Sequence, residues 1–165
     1  MLEVIETISP ATYHRSETLR AALLGGFVAG ALRIIYAFVT SAADGENPQW
    51  VLQSIASGLL GANAFNGGLV AAALGALFHF GIAIVAAGIY IAPSRRLEVL
   101  NRYSIPSGVL YGAAVYAFLN FVVVPLSDFP FKDSYSTAQM AGGFIAHLLL
   151  VGVPIALAAR WRGRY

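Results

Sequence analysis

The chain contains no cysteine, and only 11 % of its 165 residues are charged. The first absence excludes disulfides, thiolate metal sites, iron–sulfur clusters and covalent haem attachment. The second sets the chain apart from soluble domains, in which about 25 % of residues are charged. No nucleophile–base pair, paired carboxylates or phosphate-binding glycine loop is visible, which weighs against an enzyme. Asp44, Glu46, Asp128 and Asp133 sit in polar connections, where acids ordinarily form a solvated rim. What is abundant is apolar surface: 58 % of residues are hydrophobic and the mean hydropathy is +0.72.

That apolar content is concentrated in four runs. The central one, residues 67–92 (GGLVAAALGALFHFGIAIVAAGIYIA), has no charged side chain and carries His79 at its middle. As a helix it reaches roughly 39 Å, enough to cross a hydrocarbon core of about 30 Å. Similar runs occupy residues 19–39, 105–124 and 137–159. The expected fold is all-α: an integral membrane four-helix bundle in one domain spanning 1–165. Residues 1–18 are mixed and polar and read as an uncleaved cytoplasmic arm; Arg33 in the following apolar run is foreign to a signal peptide. Pro93 and Pro125 end the second and third spans in this reading, and Pro154 kinks the fourth.

Between the first two spans, Asn47-Pro48 opens a short helix over about 48–61, with Asn as cap and Pro at the first helical position. It places Leu52, Ile55 and Leu59 on one face and Gln49, Gln53 and Ser57 on the other. Too short to span, it reads as an amphipathic helix on the outer side of the bundle.

Orientation follows from the basic residues. The N-terminal arm, the 94–104 connection and the C-terminus hold Arg15, Arg20, Arg95, Arg96, Arg102, Arg160, Arg162 and Arg164, against Lys132 alone in the other two connections. Both termini are therefore expected on the cytoplasmic side. The pI near 9 reflects topology and attraction to anionic lipid, with no nucleic-acid partner implied. The partner indicated is the bilayer. Gly26/Gly30 and Gly108/Gly112 are small-xxx-small faces that suit close helix packing, within the chain, with a second copy or with another membrane protein.

Each span carries one strongly polar side chain: Arg33, His79, Asn120 and His147. Counted from the nearest outer landmarks they lie 11, 13, 8 and 10 residues deep, roughly 12–20 Å along a helix. They form a candidate ligand-binding layer. Such groups normally face the bundle interior, and no Asp or Glu within a span balances Arg33. The bland alternatives are interhelical hydrogen bonding for the histidines and Asn120, and snorkelling for Arg33. A short repeat points to two related hairpins: Tyr-Ala-Phe at 36–38 and 116–118, and Gly-xxx-His at 75–79 and 143–147. The tyrosine-to-histidine intervals are 43 and 31 residues, a difference close to the length of the inserted helix.

The stretch VLQSIASGLLG at 51–61, the histidine-bearing span after it and NFVVVPLS at 120–127 resemble small, uncharacterised four-span proteins of the bacterial inner membrane. The resemblance covers roughly residues 20–160. It implies a bacterial plasma-membrane location and no mechanism. Three functional readings stand open. The first is a non-enzymatic bundle that packs with other subunits or binds a lipid-like or anionic ligand, without cofactor. The second is a haem b electron carrier with His79 and His147 as axial ligands. The third, a minimal transporter, is opposed by the apolar inner halves of the spans.

Overall fold

The computed structural model describes residues 10–132 and 136–161. Every regular element among them is helical, in the expected all-α arrangement of a four-helix bundle with a short extra helix between the first two long ones. Helix α1 is Pro10–Ala43, α2 is Pro48–Leu60, α3 is Gly68–Ser94 and α4 is the single turn Glu98–Arg102. Helix α5 covers Ser104–Leu126 and α6 covers Thr137–Arg160. The long helices α1, α3, α5 and α6 are long and apolar enough to cross a membrane.

Local chemistry accounts for the boundaries. Asn47 caps α2, its Oδ1 accepting from Trp50 N at 2.8 Å, and Pro48 occupies a first-turn position whose N–H has no intrahelical partner in any case. Gly61 and Gly68 take positive φ, 58° and 55°, on either side of the 3₁₀ turn Gly61–Asn66 that swings the chain from α2 into α3. Helix α6 opens on a capping box, in which Ser136 and Gln139 satisfy each other's backbone N–H groups. The Gln139 amide also donates to Asp44 Oδ2 at 3.1 Å, tying the end of α1 to the start of α6.

The packing is inverted relative to a water-soluble bundle. Ala29, Ala56, Ala87 and Ala156 are fully buried, while Leu69 is 77 % and Leu110 72 % exposed. Small residues inside let backbones approach, and bulky apolar ones outside suit a lipid solvent. Added Cβ atoms would meet Ile84 Cα at Gly26, the Phe80 ring at Gly30, Gly152 at Gly108 and the His147 carbonyl at Gly112. The four glycines are thus occupied by the chain's own helices, α1 on α3 and α5 on α6. Of the close packing expected of these glycines, the contact within the chain is the one seen.

Four expectations change. Residues 10–18 of the expected arm are helical and continuous with α1, while residues 1–9 lie outside the described part. Pro93 and Pro125 do not end their helices, which run on to Ser94 and Leu126. Ahead of Pro154, where a kink is expected, α6 has a π turn, His147–Gly152, and α5 has a matching one, Leu119–Val123. Each π turn closes two residues before a proline. The wider turn accommodates a residue that lacks an N–H and would otherwise collide with the carbonyl four residues back.

The fourth concerns α2, whose packed face mixes polar and small apolar residues. Gln53 and Ser57 are buried with Val51 and Ala56, while Leu59 is 66 % exposed. The Gln53 amide donates to Gly68 O at 3.0 Å, and Ser57 Oγ to Ser54 O at 2.7 Å. Leu52 and Ile55 are half-buried and Gln49 is exposed, so the boundary between packed and open surface does not follow the polar–apolar division of the helix. Helix α2 sits on the first turns of α3, where the Leu52 carbonyl fills the space beside Gly75. It is pinned from the other side by Asp128 N donating to Gly58 O at 2.9 Å. Trp50, Phe65 and Phe131 cluster at the same end, with centroids 5.5–6.3 Å apart.

Candidate functional site

Three of the four candidate polar residues come to one height. The His79 ring nitrogen Nε2 lies 2.9 Å from Gly30 O, across the α1–α3 contact. Arg33 is three residues further along α1, about 4.5 Å of helix rise. The Tyr36 hydroxyl rests against Gly142, where an added Cβ would stand 2.6 Å from it. Because α1 and α6 run in opposite directions, Arg33 stands within a turn of His147. The Arg33 guanidinium lies within electrostatic range of both imidazoles. The guanidinium lies over the Tyr36 ring, 5.4 Å from its centroid.

Asn120 stands apart. On α5 the residue level with His147 is Gly112, whose added Cβ would overlap the His147 carbonyl. Asn120 is eight residues beyond Gly112, about 12 Å nearer the α5–α6 connection. Its amide donates to Tyr116 O of its own helix at 2.9 Å. Counting from loop landmarks fails here because α5 runs outward from Gly112 to Leu126, further than α6 runs from His147 back to Thr137, so the two outer landmarks are not at one level.

The position of Asn120 in the expected layer is taken by tyrosines. The Tyr116 ring meets His147 edge-on, centroids 5.3 Å apart, and its hydroxyl donates to Met140 O at 3.0 Å. Tyr36 and Tyr116 are the two tyrosines of the Tyr-Ala-Phe repeat. That repeat was the available signal, and it marks residues that accompany the polar groups.

The hydrogen bonds define which imidazole nitrogens remain open. A carbonyl oxygen only accepts, so His79 donates from Nε2, and His147, 7 % exposed, donates from Nδ1 to Gly143 O at 2.7 Å. The lone pairs left over are on Nδ1 of His79 and Nε2 of His147. The layer therefore combines one permanent cation with two hydrogen-bond acceptors. A haem bridging the two rings through Nε2 would require His79 to give up Gly30 O. The glycines one turn before the histidines, where a slot for a macrocycle could open, are covered by the Leu52 carbonyl at Gly75 and by the Tyr116 ring, 3.7 Å from an added Cβ, at Gly143. Among the described residues no group of three or more His, Asp or Glu is placed to hold a metal ion.

Comparison with family models, with curated proteins and with solved structures finds no match to this chain. The site must therefore be read from its own geometry.

Proposed function

We propose that the protein is a non-enzymatic, multi-pass protein of a bacterial plasma membrane, with both termini cytoplasmic, whose Arg33–His79–His147 layer binds a small anion bearing an O–H group. The convergence of these three side chains from α1, α3 and α6 carries the reading. Arg33 keeps its proton at any accessible pH and supplies the charge. No Asp or Glu occurs within residues 19–43, 68–94, 104–126 or 137–160, so these segments contribute no acidic side chain to the layer. The two imidazole lone pairs accept from the ligand's hydroxyl. A hydroxycarboxylate or dihydrogen phosphate has both features; chloride has only the charge.

Thermal unfolding of the purified protein at matched ionic strength tests the binding. Phosphate or lactate raises the midpoint and chloride does not, and Arg33→Gln abolishes the difference. A ligand at one hundred times its Kd stabilises by about 2.7 kcal/mol, well within reach of the method. Equal response to all three anions, or an unchanged response in Arg33→Gln, removes the proposal.

Orientation is tested separately with reporter fusions. Those at Gly45 and Lys132 are external, and those at Arg96 and Arg164 are cytoplasmic. The basis is the arginine distribution, which places Arg20, Arg95, Arg96, Arg102 and Arg160 at one end of the bundle and Asp44, Glu46 and Asp128 at the other.

A further inference from the structure

A second feature lies at the arginine-rich end, away from the polar layer. There α3 and α5 are held together by tyrosines. The Tyr90 and Tyr111 rings are 5.0 Å apart, Tyr90 Oη shares a 2.8 Å hydrogen bond with Ser107 Oγ, and Tyr111 Oη donates to Ala86 O at 2.6 Å. Outside these contacts the two helices leave a fissure of about 350 Å³, lined by Ile89, Tyr90, Pro93, Leu100, Leu110 and Tyr111 among others. That volume lies at the lower end of ligand pockets, roughly 300–1,000 Å³. Its polar atoms are already used in the bonds named above, so the lining offered to an occupant is apolar. Its lips are open: Ile89 is 63 % and Leu110 72 % exposed.

The charge at its mouth is one-sided. Pro93 and Leu100 are followed within three residues by Arg95, Arg96 and Arg102, all exposed, against Glu98 alone. The Arg102 guanidinium lies over the Tyr103 ring, 5.6 Å from its centroid, at the same end. An open apolar groove on the lipid-facing surface, ending near a basic turn of the chain, suits an acyl chain joined to a phosphate.

We propose that the α3–α5 fissure is the seat of an anionic phospholipid, one acyl chain lying against Tyr90, Leu110 and Tyr111 and the phosphate resting at the arginines of the 95–102 turn. The inference rests on the reading of the chain as a membrane protein, and is independent of what the Arg33 layer binds. Within a bilayer the fissure cannot stay empty without forfeiting contacts along both walls, and water is a poor occupant for an apolar cleft. Zwitterionic lipids satisfy the channel but present no net charge to the arginines. Each arginine near an anionic headgroup is worth about fivefold in affinity. The expected preference over the zwitterionic lipid, after screening, is roughly tenfold.

The test uses the full-length protein, purified and delipidated in detergent, then titrated with dioleoylphosphatidylglycerol or dioleoylphosphatidylcholine and read by native mass spectrometry. Wild type retains the anionic phosphatidylglycerol about tenfold better than the phosphatidylcholine. The triple variant Arg95→Gln, Arg96→Gln, Arg102→Gln binds both lipids equally. Leu110→Trp, a substitution at an exposed lip that fills the channel, lowers retention of both. If that variant does not fold, Ile89→Trp on the opposite wall is read in the same way. Arg33→Gln leaves the preference intact, which separates this site from the polar layer. Equal retention of the two lipids by wild type, a preference that survives the triple variant, unaltered retention in the tryptophan variants, or a preference lost in Arg33→Gln would each overturn the assignment.

Discussion

The α1–α3 and α5–α6 hairpins solve one packing problem in two ways. Each presents a Gly-xxx-Gly face to the helix that carries a histidine, Gly26 and Gly30 in the first, Gly108 and Gly112 in the second. At the height of the histidine they diverge. Gly30 faces the ring of Phe80, 2.9 Å from an added Cβ, whereas Gly112 faces the backbone of His147 and Leu148. In the second pair Gly152 brings the α6 backbone in as well, meeting Gly108. A histidine on a helix held off by a phenylalanine can reach across, and His79 bonds Gly30 O of α1. A histidine whose own backbone touches the neighbour has no such opening, and His147 turns back to Gly143 of its own helix. Separation of the backbones, set by the residue opposite the glycine, thus decides whether a mid-helix histidine links two helices or only one.

The largest expected effect attacks that separation directly. Gly112→Ala drives a methyl group into fixed backbone and costs about 1–3 kcal/mol, the usual range for overpacking. Gly30→Ala meets an aromatic ring that can turn, and costs less than about 1 kcal/mol. Unfolding in detergent micelles measures both. Equal losses, or a greater loss in Gly30→Ala, would show that the two interfaces are equally rigid.

Next in size is the pair of histidines. His79→Leu removes a hydrogen bond between helices, which in membrane bundles averages about 0.6 kcal/mol and reaches about 1.7. His147→Leu removes a bond within one helix and keeps an apolar side chain against Tyr116, so its loss is the smaller. The same unfolding measurement ranks them; a larger loss for His147→Leu would mean that contact with the Tyr116 ring matters more than the link to α1.

Much of this architecture is legible before any coordinates. The four apolar runs, the Asn47-Pro48 helix start and the glycine faces depend on local chemistry and on lipid as the solvent for the outer surface. Errors arise where that solvent changes what a pattern means. Gln53 and Ser57 belong to the polar side of α2, yet both are buried: Gln53 bonds Gly68 O at the start of α3, and Ser57 turns its hydroxyl back on Ser54 O of its own helix. Asn120, counted inward from Asp128, falls short of the layer because α5 reaches further outward than the first turn of α6, a difference in helix length that loop residues do not announce. Of the polar layer, the sequence carries Arg33, His79 and His147 plainly. Tyr36 and Tyr116 were visible only as part of a repeat, because a tyrosine in an apolar run looks like packing.

The smallest expected change in stability comes from Pro154→Ala, and it asks why the second hairpin has π turns. One answer is the proline itself, whose missing N–H removes the bond a regular helix would make to Leu150 O. The other is register. Among the buried residues of α6, which include Ala146, Gly152 and Ala156, one row falls at His147, Val151, Ile155 and Ala159, four apart. At 100° per residue, twelve residues of regular α-helix rotate that row by about 120° away from the neighbours. A π turn takes up roughly one extra residue, which cuts the drift to about 20°. Straightening the helix would recover one backbone hydrogen bond, about 0.5–1.5 kcal/mol net. It would also turn part of a row containing Ile155, 0 % exposed, and Ala159, 2 % exposed, out of the packed interior. Several close-packed side chains outweigh one such bond, so the π turn persists in Pro154→Ala and stability changes by less than about 1 kcal/mol. A structure of the variant decides the matter. A regular α-helix through residues 147–154, with Ile155 rotated off the core, would assign the π turn to the proline and leave the four-residue spacing as its consequence.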